Sequence, residues 1–235
     1  YLKFTRENHT SVDALRWITN LSSNRLIRAV AMPTELIPRP EAIPLELRSH
    51  QPIAYIGLIH YLEKQGIPLT LAHAYLREIK VRNLKTGRPF LALGFKNEQG
   101  GYELKNPFFE GYVGDEPDIS FIRGKSSTPN DVHLFVNYWD FLSVLSQLSQ
   151  RQLKGDAIVL HSLALLPKAT AYLHRYGYRT LDSWMDNNPM GDQATQALTE
   201  FSRTQDRLRH VPMSAVYIAH QSMRDYHRST LASAR

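Results

Sequence analysis

The period of apolar positions changes twice along the chain, and each change predicts a boundary. In "SVDALRWITNL" (11–21), Val12, Leu15, Trp17, Ile18 and Leu21 follow a capping Ser11 or Asp13 and predict an amphipathic helix. From Met32 to Pro52 the periodicity fades. Pro33, Pro38, Pro40, Pro44 and Pro52 predict an extended linker wrapped on a surface there, because the residue before a proline is pushed out of helical backbone. Helical spacing returns in "AYIGLIHYLEKQG" (54–66), with Tyr55, Leu58, Ile59 and Leu62 on one face and Gly66 as C-cap. A short second helix, "IPLTLAHAYL", starts behind Pro68 and completes an αα-hairpin.

The period then drops to two. "REIKVRNLKTGRPFLALGFKNEQGGYELKNPF" alternates polar with apolar or aromatic residues and carries the turn signals "KTG" and "EQGG". Three antiparallel strands are expected at roughly 77–83, 89–95 and 101–105, with a further short strand in "DISFIRG" (118–124). From Asp131, apolar strands alternate with helices: "VHLFV", "AIVLHS", "YRTLDSWM" and "SAVYIA" are each followed by a helical stretch. That alternation predicts a parallel sheet covered by helices. The chain therefore reads as an N-terminal helix and proline-rich linker (1–52), an α+β part (53–127) and an α/β part (128–235).

Composition narrows the function classes. Hydrophobic residues are 43% and charged residues 21% of the 235, as in a globular protein. Cysteine is absent, so disulfides and thiolate zinc sites are excluded within these residues. No apolar run is long enough to span a bilayer and no signal peptide is visible, so a cytoplasmic location and no membrane partner are expected. The net charge of +6 fits either a solvated basic surface or a polyanion partner, most often nucleic acid. No glycine-rich phosphate loop, HExxH or GxSxG occurs. The ten histidines show no metal-ligand spacing; His161 ends a strand beside Ser162 with no partner assignable.

Two strand ends carry the candidate chemistry. "LFVNYWD" (134–140) and "WMDNN" (184–188) end neighbouring strands of the α/β part, so Asp140 and Asp186 are expected to converge on one crevice. Either the two carboxylates cap their own turns and helices, or they gather around Mg²⁺, a hard cation that prefers oxygen ligands.

These stretches, with "GGYELKNP" and "DISFI", resemble the primase-like Toprim proteins of Bacteroidetes chromosomes and mobile elements (Toprim_2-like). That family carries patterns close to "GFKN-x-GGYELRNP", "DITFI", "VFEGFMDFLS" and "LDND-x-AG". The similarity covers about residues 50–200. It implies a bacterial primase core: an α+β subdomain followed by a Toprim domain. A zinc-finger module usually precedes that core; it would lie upstream of these residues or be lost. The resemblance places the family's catalytic Glu on Val136 and the next Gly on Asn137, and retains Asp140. In the second motif Asp186 and Gly191 are retained, while the second Asp falls on Asn188. Valine neither transfers a proton nor ligates a cation, and losing a general acid/base alone costs about 10²–10⁴-fold in rate. Asp186 and Asp140 are thus the expected catalytic and metal positions of a degenerate centre whose Mg²⁺ is weakened or lost.

The resemblance also implies a basic platform. Lys96, Lys105 and Arg123 would neutralise phosphates, with Tyr102 and Phe95 interleaved to stack bases. Read from the residues alone, the lysines fit a solvated strand face equally well, Tyr102 fits base stacking or strand core, and Phe95 fits strand core better. The expected protein is a primase-like binder of DNA, single-stranded or template, with nucleotidyl transfer lost or strongly reduced. It would act in replication, a mobile element or defence, with a protein partner from one of those systems. Two alternatives stay open. One is an active primase or Toprim nuclease recruiting Asp182, Asp192 or Asp225 as substitute ligands; the other is a protein-interaction scaffold.

Overall fold

The structure, a computed structural model, describes residues 14–15 and 43–233. The helix expected over 11–21 lies outside the described residues except for Ala14 and Leu15, which are helical, and the linker up to residue 42 lies outside them altogether.

The first sheet has five strands in the order β1 (Leu45–Gln51), β2 (Leu76–Asn83), β3 (Pro89–Lys96), β4 (Tyr102–Asn106) and β5 (Phe109–Val113), all antiparallel. The expected linker ends as strand β1, paired with β2 from Leu45↔Asn83 to Gln51↔Glu78. Pro44 and Pro52 flank that strand without interrupting it, which an edge position tolerates. Strand β5 was not anticipated either; it is the short return of a tight turn at Pro107 and Phe108. Between β1 and β2 run α1 (Ile56–Gln65) and α2 (Leu69–Tyr75). Gly66 closes α1 with φ 71°, a left-handed conformation that glycine adopts without a Cβ penalty. Glu78 is buried on β2 and accepts the Ala54 and Tyr55 N–H groups at 3.0 and 2.6 Å, fixing the entry to α1.

The second sheet has the order β10-β9-β7-β8-β6. Strands β7 (Asp131–Phe135), β8 (Asp156–Val159), β9 (Thr180–Trp184) and β10 (Arg209–Pro212) are parallel, and β6 (Ser120–Ile122) runs antiparallel to β8. Helices α3 (Tyr138–Gln147), α4 (Leu166–Tyr176), α5 (Pro189–Arg203) and α6 (Met223–Ser233) surround it. The strand expected in "SAVYIA" is instead a 3₁₀ turn, Ser214–Tyr217, and the last strand lies just before it. The apolar run there serves packing: Tyr217 is 2% exposed, stacks on Trp184 and donates to the Met185 carbonyl at 2.8 Å.

Alternation along the parallel strands sorts the core. Val132, Leu134, Ile158, Leu160 and Leu181 pack with Leu166 and Leu173 of α4 and Ala194 and Leu198 of α5. Phe135, Val159 and Trp184 pack with α3 and with Leu93 and Phe95 of the first sheet. One apolar cluster therefore joins the two halves. No described helix is long and apolar enough to cross a membrane.

Candidate active-site crevice

Phe135, at the carboxyl end of β7, pairs with Val159 of β8 on one side and Trp184 of β9 on the other. The turns leaving these strands carry Val136 and Asn137, His161 and Ser162, and Asp186 to Asn188. Such a row of parallel strand ends is where α/β folds place binding sites.

Asn137 begins α3 in extended backbone, and its Oδ1 accepts the Trp139 and Asp140 N–H groups at 2.9 and 3.2 Å. Its amide Nδ2 donates to Asp140 Oδ2. The other Asp140 oxygen accepts the backbone N–H of Arg224 at 2.9 Å, tying the first turn of α6 to α3. Arg224 lies 5.5 Å over the Trp139 ring and donates through Nε to Gln65 at 2.8 Å. Burial, reinforced by the charge of Asp186, pushes the Asp140 carboxyl up to about 7. Val136 is half-buried against the apolar cluster under α4 and α5.

Asp186 is raised by burial and by the charge of Asp225, while the Lys105 ammonium pulls it the other way. Asn187 donates to the Tyr217 and His220 carbonyls at 3.0 and 2.9 Å and so pins the segment before α6. Asn188 is the N-cap of α5, accepting the Gly191 N–H at 2.9 Å. Gly191 is required by contact: a Cβ there would lie 1.9 Å from the Asp186 carbonyl oxygen.

The roof comes from β4. Lys105 pairs with Glu110 across to β5, sits 5.6 Å over the Tyr138 ring, and partly offsets the upward push of burial on the Asp140 and Asp186 carboxyls. Beside it, burial pushes Glu103 up to about 8. His161 has φ 62°, a left-handed backbone strained for a residue with a Cβ. Ser120 donates to the Lys96 carbonyl at 2.7 Å, so its oxygen is left to accept Nε2–H of His161, also at 2.7 Å. Burial, aided by Lys105, lowers this imidazole to about 3, so it is neutral. The sequence marked His161 as a strand-end residue, but its partner Ser120 lies 41 positions away.

The crevice thus gathers Asp140, Asp186, His161 and Lys105, with Arg224 and Asp225 from α6. The other residues expected to bind nucleic acid lie elsewhere. Tyr102, expected to stack a base, is 7% exposed and packs inside the first sheet against Gly94 and Leu104, so its ring offers no open face. Arg123 is paired at 2.9 Å with buried Asp156 and stacks over Phe121. Lys96 is exposed at the end of β3, and Phe95 is core, as expected.

Magnesium favours octahedral oxygen ligands with free lone pairs. Each Asp140 oxygen accepts one N–H group and keeps a second lone pair, so Asp140 and Asp186 offer two carboxylates to an ion, with no third from Val136 or Asn188. Of the proposed substitutes, Asp182 pairs with His133 at 3.3 Å and Asp192 lies in the first turn of α5; only Asp225 acts on Asp186. Among the described residues no three His, Asp or Glu side chains are grouped to hold a metal.

Residues 47–114, which run from β1 just past β5, match the family model of a domain of unknown function (DUF8464). A comparison with the curated proteins finds no match. The fold is similar to the crystal structure of the primase fragment of the bacteriophage T7 primase-helicase protein. The TM-score is 0.53 at 11% identity, over 83% of this chain and 78% of that one. The chain therefore has a primase-like fold.

Proposed function

We propose that this is a primase-like Toprim protein that binds DNA and has lost, or nearly lost, nucleotidyl transfer. The observation that carries the reading is the environment of Asp140. In a metal centre this carboxylate would face the ion; here one oxygen holds the start of α6 and the other the cap of α3. Val136 and Asn188 extend the same change, since one is half-buried against the apolar cluster under α4 and α5 and the other caps a helix. Three positions that a Toprim centre would use for charge are used for structure. Binding is supported by the fold and by the net charge of +6, and the setting would be replication, a mobile element or defence.

The test is a de novo primer-synthesis assay on single-stranded template with Mg²⁺ and with Mn²⁺. No product above background is expected. Product that disappears in Asp186→Ala would overturn the loss of activity and point to Asp225 as a substitute ligand.

A further inference from the structure

The expected basic platform is largely consumed by internal partners, so a binder of nucleic acid needs its cations elsewhere. Residues 79–97 contain Lys80, Arg82, Lys85, Arg88 and Lys96 and no carboxylate. Lys80 and Arg82 are exposed on the same side of β2, and Lys85 and Arg88 are exposed on the turn that follows. The turn is built, not loose. Asn83 Oδ1 accepts the Lys85 and Thr86 N–H groups at 2.9 and 3.1 Å, Gly87 takes φ 72°, and Arg82 Nε donates to the Gly87 carbonyl at 3.1 Å.

The β4–β5 turn lies at the same end of the sheet. Phe90 and Phe109 pack with ring centroids 4.9 Å apart, and Asn106 donates to the Leu91 carbonyl at 2.8 Å, joining the two turns. Phe108 tops this second turn with 96% of its surface exposed. Among the described residues, Glu110 pairs with Lys105, and Glu46 with Arg48 at 2.9 Å. A bare aromatic ring beside clustered cations is the arrangement that stacks a base while neutralising the flanking phosphates.

We infer that this hairpin end, with Arg82, Arg88 and Phe108, is a binding surface for single-stranded nucleic acid. A duplex has no open base face for Phe108 to cover except at its ends, so the ring selects an unpaired strand. Lys105 precedes the Phe108 turn, so a strand stacked there lies next to the roof of the crevice. The inference rests on the DNA-binding reading above and names where that binding occurs.

Fluorescence anisotropy of the full chain with fluorescein-labelled oligothymidylate, titrated over a range of salt concentrations, tests it. Phe108→Ala is expected to weaken binding about 5- to 100-fold with the salt dependence unchanged. The Arg82→Gln/Arg88→Gln double variant is expected to flatten the slope of log K against log salt by about 1.4, or ~0.7 for each phosphate no longer neutralised. Hairpin variants that bind like wild type, while Lys96→Gln or Lys105→Gln loses affinity, would overturn the surface and leave the DNA-binding reading standing. Duplex binding as tight as single-strand binding would also overturn it. A wild-type protein with no salt-dependent affinity would remove the DNA-binding reading itself.

Discussion

The crevice and the hairpin end hold charge in opposite ways. In the crevice Asp140, Lys105 and the neutral His161 are partly withdrawn from water and bound to a neighbour: Asp140 to two N–H donors, Lys105 to Glu110 and His161 to Ser120. At the hairpin end Arg82, which also donates to the Gly87 carbonyl, and Arg88 are exposed to solvent at the same end of the sheet as an uncovered Phe108. Groups buried with internal partners hold the protein together, whereas groups exposed to water can exchange solvent for a ligand. A strand-end crevice is the usual place to look for chemistry, yet here it is the more structural of the two regions.

The largest expected effect tests how deeply the crevice belongs to the core. Phe95 comes from the first sheet, is 3% exposed, stacks on Tyr138 at 5.3 Å and meets Phe141 edge-on at 6.2 Å. Phe95→Ala should cost about 3–5 kcal/mol, the range for removing a buried aromatic side chain. Because the same cluster contains Phe135 and Trp184, urea unfolding should stay a single transition at a lower midpoint. Two separated transitions would show that the halves fold independently and that the crevice is a loose interface.

Next in size is the pH response of Asp140. Its carboxyl lies at about 7 when folded against an ordinary value near 3.8, so the folded state binds the extra proton between those limits. Stability contributed by this group is full below about 4 and is lost as pH rises through 7. In Asp140→Asn one N–H acceptor is lost, at a cost on the order of 1–3 kcal/mol. The variant no longer ionises, so its deficit relative to wild type should narrow as pH climbs from 5 to 8. A deficit that stays constant from pH 5 to 8 would mean that the folded Asp140 carboxyl is already ionised throughout that range, as a metal ligand would be.

Much of this arrangement was legible in the sequence, and the failures share a cause. Helix α1 and its Gly66 cap, the αα-hairpin and the strand–helix alternation after Asp131 follow from local periodicity and capping. The convergence of Asp140 and Asp186 followed from parallel strand order, and the structure places them within each other's field. Strand β1 was missed because its flanking prolines suggested a linker, and its strand character comes from pairing with β2 some 30 residues on. Tyr102 was open between base stacking and strand core because alternation shows that a strand has two faces but not which one is covered; its ring lies on the covered one. The Asp140–Arg224 hydrogen bond spans 84 positions and uses a backbone donor, so no side-chain pattern could reveal it.

The smallest effect separates a vestige of chemistry from a working cap. Asn188 occupies a position where a second carboxylate was expected, and its side chain accepts the Gly191 N–H as the N-cap of α5. Asn188→Ala should cost about 1 kcal/mol, the usual value for a lost cap. Asn188→Asp should be nearly neutral. Aspartate caps as well as asparagine and favours the positive end of a helix, while repulsion from Asp186 works against it. Thermal unfolding of the two variants with and without Mg²⁺ reads both properties at once. If Asn188→Asp gained several degrees only with the ion present, the pocket would still be a metal site lacking one ligand. If Asp and Asn behave alike with and without it, a carboxylate restored at 188 is not enough to make a metal site beside Asp186.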